Sequence, residues 1–277
     1  MMYRSKKVQL AAIYVEYSIE KYKNSFKILR SLLEKQIGKD INFIVVNNSK
    51  EDEVPENISQ NIIRISGNNC DREFSGWQKG LEYLQSTSIN YDAVLFCNES
   101  FQAYNDTYLS NYALMALNRC LLKKAIVGYF DKEKQRKIYR LLDYKFYRWL
   151  RTSAFFIPKE FLSGIRILSV DDTLLNRFLP EKFEQLNEKN LKDYFYPDAP
   201  INQEFKEKIV DWITSKWHSS IEINKENWEL FRSKVKSIFN EALLTIQAET
   251  LGSPAEWYAS YPIVVYEKIK NKLKNNG

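Results

Sequence analysis

Residues 72–101 read REFSGWQKGLEYLQSTSINYDAVLFCNESF, and this stretch decides the fold. Its first half predicts an amphipathic helix, because large apolar residues recur at steps of three and four. Those residues are Phe74, Trp77, Leu81 and Leu84. The apolar run Ala93–Cys97 follows and predicts a short buried strand. The strand runs directly into a polar triplet at residues 98–100, so a helix, a strand and a hydrophilic strand end stand in series.

The same alternation extends outward from this stretch. Four more short apolar runs are typical of buried parallel strands. They are Val8–Val15, Ile41–Val46, Ile62–Ile65 and Ala125–Phe130. Helical periodicity appears at 26–33 and again at 109–120, with Asp106 as a predicted N-cap. Strand and helix in alternation predict an α/β fold, Rossmann-like, with a mostly parallel sheet flanked by helices.

The second half of the chain has a different pattern of apolar residues. From Asn202 onward the pattern is helical, and apolar residues from Trp228 to Ile246 share one face before Gly252 ends the helix. A last basic helix is predicted at 263–273. We therefore predict an α/β domain at 1–200 and a helical C-terminal extension at 201–277.

Two scarcities exclude whole classes of site. The chain of 277 residues has 8 glycines, and their positions form neither a P-loop nor a dinucleotide-binding fingerprint. It has a single histidine, His218, which excludes a histidine-rich metal cage and for which a structural role is the default. Walker-type ATPases and standard Rossmann dehydrogenases are therefore disfavoured.

Charge and cysteine usage bound the partners and the compartment. The net charge of +6 suits anionic partners without naming one. The three cysteines lack metal-binding spacing, which favours a reduced, cytoplasmic protein. No apolar run approaches the ~20 residues of a membrane-spanning helix. The basic run 267–274 is an amphipathic end that allows peripheral contact with an anionic membrane on its inner face.

Polar clusters follow four of the predicted strands, at residues 16–17, 47–49, 67–72 and 98–100. In open α/β sheets, ligands bind beyond the carboxyl ends of the strands. Four clusters along one edge therefore favour a polar small-molecule site. Ordinary turn chemistry from Asn, Asp and Ser is the competing interpretation of each single cluster.

The ordered series resembles a known family. A strand ending in Asn47-Asn48-Ser49, a strand followed by Asn68-Asn69, an Arg-Glu-Phe-x-x-Trp helix start at 72–77, and a strand ending at 98–100 look like a GT-A-fold glycosyltransferase. The closest likeness is to family 2-like and rhamnan-synthesis-type enzymes of bacterial polysaccharide assembly, and it covers roughly residues 8–160. A weaker likeness recurs at 236–244.

The resemblance implies a nucleotide-sugar donor lying across the strand ends, and a glycan or lipid-linked glycan as acceptor. In this likeness the base and ribose lie near the first two strands, and Arg72 reaches a phosphate or a sugar hydroxyl. The implied donor-binding residues are Glu16, Tyr17, Asn47, Asn68, Asn69, Arg72, Trp77, Asn98, Glu99 and Ser100.

The triplet at 98–100 departs from the Asp-x-Asp motif that holds a divalent cation in such relatives. Cation capture prefers two carboxylates, and this triplet offers only Glu99. Two alternatives follow: weak binding of Mg²⁺ or Mn²⁺ through Glu99, or stabilisation of the leaving diphosphate by cationic side chains. The latter is favoured, and the cationic candidates are Arg72, Lys79, Arg148 and Arg151.

An inverting transfer needs a carboxylate to deprotonate the acceptor hydroxyl. Asp171 and Asp172 form the only adjacent Asp pair and are the candidates, with Asp131 in reserve. Helix N-capping is the competing role of the pair.

The aromatic and basic stretch 139–151 is open between helix and strand. We interpret most of its aromatic side chains as core packing and the others as a surface on which a sugar stacks. The rivals to a glycosyltransferase are a non-catalytic module of the same fold and a nucleotide- or nucleic-acid-binding α/β protein. Nucleic acid is disfavoured, since no recognition motif accompanies the stretch.

Overall fold

A computed structural model describes residues 8–17, 20–50, 54–104, 106–132, 137–187, 193–216 and 222–252. The predicted terminal helix at 263–273, the basic run 267–274 and His218 lie outside these ranges.

Nine strands form in the described residues. They are β1 (Leu10–Glu16), β2 (Ile41–Asn47), β3 (Glu56–Ser59), β4 (Ile62–Ser66), β5 (Ala93–Asn98), β6 (Val127–Lys132), β7 (Tyr139–Leu141), β8 (Tyr144–Phe146) and β9 (Arg148–Pro158). Seven of them make one sheet in the order β3-β4-β2-β1-β5-β9-β6, and β7 pairs with β8 as a separate hairpin. Each predicted strand is present; β3, which is exposed along its whole length, carries no apolar signal and was not predicted.

The helices alternate with the strands in the first half and dominate the end. They are α1 (Ser25–Gln36), α2 (Arg72–Ser86), α3 (Phe101–Tyr104), α4 (Asp106–Lys123), α5 (Asp172–Leu175), α6 (Gln203–Asp211) and α7 (Trp228–Leu251). A π-helical turn, Trp212–Lys216, extends α6, and single 3-10 turns lie at Glu20–Tyr22, Lys159–Phe161, Phe183–Gln185 and Lys225–Asn227. The structure begins α4 at Asp106, which was predicted as its cap.

The predicted α/β class is confirmed. Strands β4, β2, β1 and β5 are mutually parallel, β9 is antiparallel to β5 and β6, and β3 is antiparallel to β4. The parallel strands are apolar along almost their whole length, because helices cover both faces of the sheet.

Three apolar clusters hold these layers together. On one face of the sheet, α1 and α4 pack against alternate residues of β1 and β2. On the other face, α2 and the end of α7 pack against the intervening residues. The third cluster joins the β7–β8 hairpin, segment 170–213 and the outer face of α7. Helix α7 therefore lies between the sheet and the third cluster, and its contacts reach both.

Two glycines bring α2 unusually close to the central strand. A Cβ added at Gly76 would lie 2.8 Å from a methyl group of Val15, and one at Gly80 would lie 2.4 Å from Ile13. Four residues along the helix match two along the strand, so this contact fixes both the separation and the register. The start of α2 is thereby placed beside the carboxyl end of β1.

The aromatic stretch is extended rather than helical. Tyr139, Phe146 and Trp149 are buried in the third cluster, and Tyr139 and Phe146 also pack against Phe205. Only Tyr144 and Tyr147 keep about half of their surface exposed, at 50% and 47%. Core packing thus accounts for the three buried aromatic rings of the stretch. The two half-exposed tyrosines, Tyr144 and Tyr147, are the aromatic rings that it presents to solvent.

Candidate functional site

The strand order reverses at β1. The chain moves outward from β1 to β2 and β4, and then returns to form β5 on the other side of β1. In open α/β sheets, the carboxyl edge at such a reversal is where ligands bind. The predicted polar clusters lie at this edge: Glu16 opposite Asn47 in one pair of strands, and Val15 opposite Asn98 in the other.

The two strands that flank β1 end in the same turn. The Oδ1 atom of Asn47 accepts hydrogen bonds from the amide and the hydroxyl of Ser49 at 3.2 and 2.7 Å. The Oδ1 atom of Asn98 accepts the same two bonds from Ser100, again at 3.2 and 2.7 Å. This is the Asx-turn chemistry set out as the competing interpretation, and it occupies the first and third residues of both triplets.

The middle residue of the first triplet holds the loop that leads to α2. The side-chain nitrogen of Asn48 donates to the carbonyl of Arg72 at 2.8 Å and to Asn69 Oδ1 at 3.2 Å, while its oxygen accepts from the Asn69 amide at 3.1 Å. Asn69 and Arg72 both adopt left-handed backbone conformations, with φ of 49° and 53°. Such strained residues persist where surrounding contacts fix them, as the Asn48 side chain does here.

Glu99, the middle residue of the second triplet, connects the two strands at which the strand order reverses, β1 and β5. Glu99 is buried, and its Oε2 atom accepts a hydrogen bond from the Tyr17 amide at 3.0 Å, which ties the end of β5 to the end of β1. The described residues contain no group of three or more His, Cys, Asp or Glu side chains placed to hold a metal ion. The triplet therefore offers a single carboxylate, and one of its two oxygens is engaged by an amide, whereas a divalent cation prefers several oxygen ligands.

Tyr17 and two further carboxyl groups complete this part of the edge. The Tyr17 hydroxyl donates to Glu73 Oε2 at 3.3 Å. Burial raises the pKa of the Glu73 carboxyl, and Arg72 and Tyr17 only partly offset this. Burial likewise raises the pKa of Glu16, against the opposing influence of Arg64 at 3.3 Å. Glu73 was not among the predicted site residues; its position in the Arg-Glu-Phe start of α2 was the available signal.

Helix α7 adds cations to the edge from 160 residues further along the chain. Lys236 Nζ lies 2.5 Å from Asp71 Oδ1 and 2.9 Å from Asp172 Oδ1, so it joins α2, α5 and α7. Burial alone would lower the pKa of Lys236, but the bonds to Asp172 and Asp71 outweigh it and raise the pKa. Periodicity predicted this helix, and the weak likeness at 236–244 was the only sequence signal that it belongs to the site.

The two adjacent candidate bases, Asp171 and Asp172, have different hydrogen-bond partners. Asp171 is the N-cap of α5, with Oδ1 accepting from the Leu174 amide at 2.7 Å. Asp172 points elsewhere, to Lys236, and this bond lowers the pKa of its carboxyl. Asp131 lies in β6 opposite Trp149, and its side chain is outside the described set.

Two predicted donor-binding residues have structural partners. Trp77 is fully buried, and its indole N–H donates to the Cys97 carbonyl at 3.0 Å, so it packs α2 onto β5 below the edge. Asn68 caps the loop turn by accepting from the Cys70 amide at 3.3 Å.

The other predicted cations lie apart from this network. Arg148 pairs with Glu249 at 3.0 Å and covers the Phe130 ring, and Arg151 lies over the Tyr129 ring at 4.9 Å. Lys79 is half-buried along α2, two turns after Arg72. Arg72 is thus the predicted cation that the structure brings to the strand ends.

A shallow cavity adjoins the site. Its volume is about 380 Å³, within the range of small-molecule pockets, and it lies between β3, β4 and the loop after β2. Lys50, Glu56, Arg64 and Ser66 are among the residues that line it. Since Ser66 pairs with Asn47, the cavity extends the carboxyl edge outward from β2.

The fold and the site define an α/β protein with a polar site at the reversal of its sheet. Neither a protein-family model nor a curated protein matches the chain. Among solved structures it is similar to 4-diphosphocytidyl-2C-methyl-D-erythritol synthase from Anaerococcus prevotii, with 16% identity and a TM-score of 0.39 over 86% of this chain and 99% of that one. A likeness of this strength carries no argument about function. No helix in the described ranges is long and apolar enough to cross a membrane.

Proposed function

We propose that the chain is a glycosyltransferase that moves a sugar from a nucleotide-sugar donor to a hydroxyl of a glycan acceptor in bacterial surface polysaccharide synthesis. The observation that carries the proposal is the bond between Tyr17 and Glu99 across the strand reversal. It places a polar, partly buried network where an α/β sheet binds its ligand. The ordered sequence likeness at 8–160 supplies the chemistry.

In this proposal the donor lies along the carboxyl edge. The base and ribose lie by Glu16, Tyr17 and the end of β2, beside the cavity lined by Arg64 and Ser66. The phosphates lie towards Arg72. Asn47 and Asn98 act through the turns that they build, and Asn48 through the loop that it holds.

The reaction is a single displacement. The acceptor oxygen forms a bond to the anomeric carbon, the bond from that carbon to the diphosphate breaks, and the acceptor proton passes to a carboxylate. Cationic side chains stabilise the charge that develops on the leaving diphosphate. No step requires a metal ion, in keeping with the single carboxylate of the triplet.

Asp172 is the better candidate base of the adjacent pair. Its carboxylate is largely exposed to an incoming acceptor, and its hydrogen bond to Lys236 lowers its pKa and so makes it a weaker base. Asp171 is engaged in capping α5. Asn is as good an N-cap as Asp, so Asp171→Asn preserves the helix and is a matched control for Asp172→Asn.

The test combines a binding screen with a transfer assay. A panel of nucleoside diphosphates and nucleotide sugars is screened by thermal shift, since a ligand that binds the folded state raises its stability. Transfer is then measured with the binding donor, with and without EDTA. Asp172→Asn should abolish transfer and spare donor binding, while Asp171→Asn retains both and EDTA has no effect.

Each contrary result has a distinct meaning. Absence of any nucleotide binding would overturn the proposal. Binding without turnover on any glycan acceptor would favour a non-catalytic module of the same fold. Salt-dependent affinity for RNA in place of nucleotide binding would favour the nucleic-acid rival. Equal loss of transfer in both Asn variants would remove Asp172 as the specific base.

A further inference from the structure

Lys236 of α7 binds one buried carboxylate and one exposed carboxylate with a single ammonium group. Its Nζ atom lies 2.5 Å from Asp71 Oδ1 and 2.9 Å from Asp172 Oδ1. The Lys236 and Asp71 side chains are 12% and 9% exposed, whereas the Asp172 side chain is 77% exposed. The two contacts therefore differ in kind, because the first lies inside the protein and the second lies at its surface.

The buried half of this bridge is held by its surroundings. Asp71 directly precedes α2, and its carbonyl accepts hydrogen bonds from the amides of Phe74 and Ser75 at 3.2 and 3.4 Å. Lys236 lies on the 24-residue helix α7, which packs between the sheet and the third cluster. The ammonium is thus already in place, and the entropy cost of the exposed contact falls mainly on the short Asp172 side chain.

Different residues fix the backbone and the carboxylate of Asp172. The adjacent Asp171 fixes the backbone, because its side chain caps the first turn of α5. The carboxylate is bound by Lys236. An exposed aspartate without such a bond moves among its staggered rotamers, so this contact gives the carboxylate one position.

The same turn of α7 also binds Arg72. The Arg72 Nε atom donates to the Ser233 hydroxyl at 3.2 Å, and Ser233 lies three residues before Lys236 in α7. Residues three apart on a helix are neighbours on one face, with about 5–6 Å between their Cβ atoms. Helix α7 therefore brings the candidate base, Asp172, and the candidate cation for the diphosphate, Arg72, to neighbouring positions.

We propose that Lys236 is a positioning residue of the site, which holds the Asp172 carboxylate in place relative to the Arg72 guanidinium. The inference rests on the proposed function for the role of Asp172 as base, but not for the placement of its carboxylate. In a single displacement, the acceptor oxygen and the leaving diphosphate lie on opposite sides of the anomeric carbon. The base and the cation must therefore keep a fixed separation, and Lys236 sets it through α7.

The first experiment follows the titration of Asp172 by carbon-13 NMR of aspartate-labelled, ligand-free protein, with Asp172→Asn to assign the signal. Charged groups face Asp172 from three elements: Asp71 before α2, Asp171 before α5, and Arg232 and Lys236 in α7. Asp71→Asn removes the carboxylate that shares the ammonium and should lower the pKa of Asp172. Asp71→Asn/Lys236→Met also removes the ammonium, leaves no buried carboxylate unpaired at position 71, and should raise that pKa above its native value.

The second experiment measures transfer by the same two variants. Asp71→Asn/Lys236→Met should have a kcat about tenfold below that of Asp71→Asn, with little change in the KM for the donor. The acid limb of its pH–rate profile should move to higher pH, because Asp172 must be ionised to accept the proton. Loss of charge alone would raise the plateau rate, since a carboxylate of higher pKa is a stronger base, so a fall in kcat identifies loss of position.

Two further variants complete the comparison. Asp71→Asn/Lys236→Arg keeps a cation at position 236 and should recover most of kcat. Lys225→Met is the matched control, because Lys225 forms an exposed ion pair with Glu184 in the turn before α7. Its loss should leave both the Asp172 titration and kcat unchanged.

The inference and the proposed function fail in different ways. An Asp172 titration that is the same with and without Lys236 would overturn the inference and leave the proposed function standing. An unchanged kcat would also overturn it, even with a shifted titration. Absence of transfer by the native protein would overturn the proposed function, while the titration, which needs no substrate, would still decide whether Lys236 holds Asp172.

Discussion

The triplets 47–49 and 98–100 lie on either side of β1 and differ in one residue. Both begin with Asn and end with Ser, and both form the same two hydrogen bonds at 3.2 and 2.7 Å. Their middle residues differ in charge and in partner. Asn48 binds the backbone of the loop before α2, whereas Glu99 binds the amide of Tyr17 at the end of β1.

The comparison separates turn building from site building. The outer residues recur because a parallel strand that ends at the surface needs a turn, and Asn and Ser provide it. The middle residues are free to differ, because each one reaches a different neighbour. The first triplet therefore sets the shape of the site, and the second places a carboxylate within it.

The largest effect should come from crowding the first triplet. A Cβ at Gly67 would lie 2.1 Å from Asn48 Oδ1 and 2.9 Å from Asn48 Cα. Gly67→Ala should therefore lower the free energy of unfolding by about 3 kcal/mol, the upper part of the usual cost of overpacking. Urea denaturation measures this change.

Gly164→Ala is the control for crowding, because its added Cβ comes no closer than 3.3 Å to a flexible leucine methyl. It should cost much less. The double variant Asn48→Ala/Gly67→Ala should cost less than the sum of the two single changes, since the closest clash is removed. Strict additivity would show that Gly67 does not act through Asn48.

The next effect distinguishes the two middle residues. Asn48→Ala leaves the Asn69 amide and the Arg72 carbonyl without their partner and should cost about 2 kcal/mol of stability. Glu99→Gln keeps an acceptor for the Tyr17 amide, so it should change stability by less than about 1 kcal/mol. Its effect should instead fall on donor binding or transfer.

Denaturation and donor titration of both variants test this difference. If Glu99→Gln proved as destabilising as Asn48→Ala and left donor binding intact, Glu99 would be a second structural residue and the contrast between the triplets would disappear.

The smallest effect should be equal in the two triplets. Ser49→Ala and Ser100→Ala each remove the 2.7 Å bond from the hydroxyl to the Asn side chain and retain the amide bond of the turn. Each should cost about 1 kcal/mol, the net value of an ordinary hydrogen bond. Unequal costs, measured by denaturation under one set of conditions, would show that the two turns are not equivalent.

Much of the fold could be predicted from the sequence. Apolar runs located the strands of the parallel sheet, and periodicity located α1, α2, α4 and α7, because burial on one or both faces imposes these patterns. Strand β3 was not predicted, because it is an exposed edge strand without a buried apolar run. The 139–151 stretch was ambiguous because alternating aromatic and basic residues suit both a strand and a helix.

The site was harder to predict. The four strand-end clusters and Arg72 could be located, since parallel strands bring their carboxyl ends together. Ser233 and Lys236 could not, because their partners Arg72 and Asp71 lie more than about 160 residues away and no local pattern records such a contact. The sequence also could not show which member of each Asn-x-Ser triplet builds the turn and which faces the site.

The most direct test of the account is the structure of the protein in complex with a nucleoside diphosphate. We predict that the nucleotide lies at the carboxyl edge where β1 and β5 meet, with the base towards Glu16 and the phosphates towards Arg72. A nucleotide bound elsewhere, such as in the groove of about 630 Å³ between α1 and α4, would contradict the central claim.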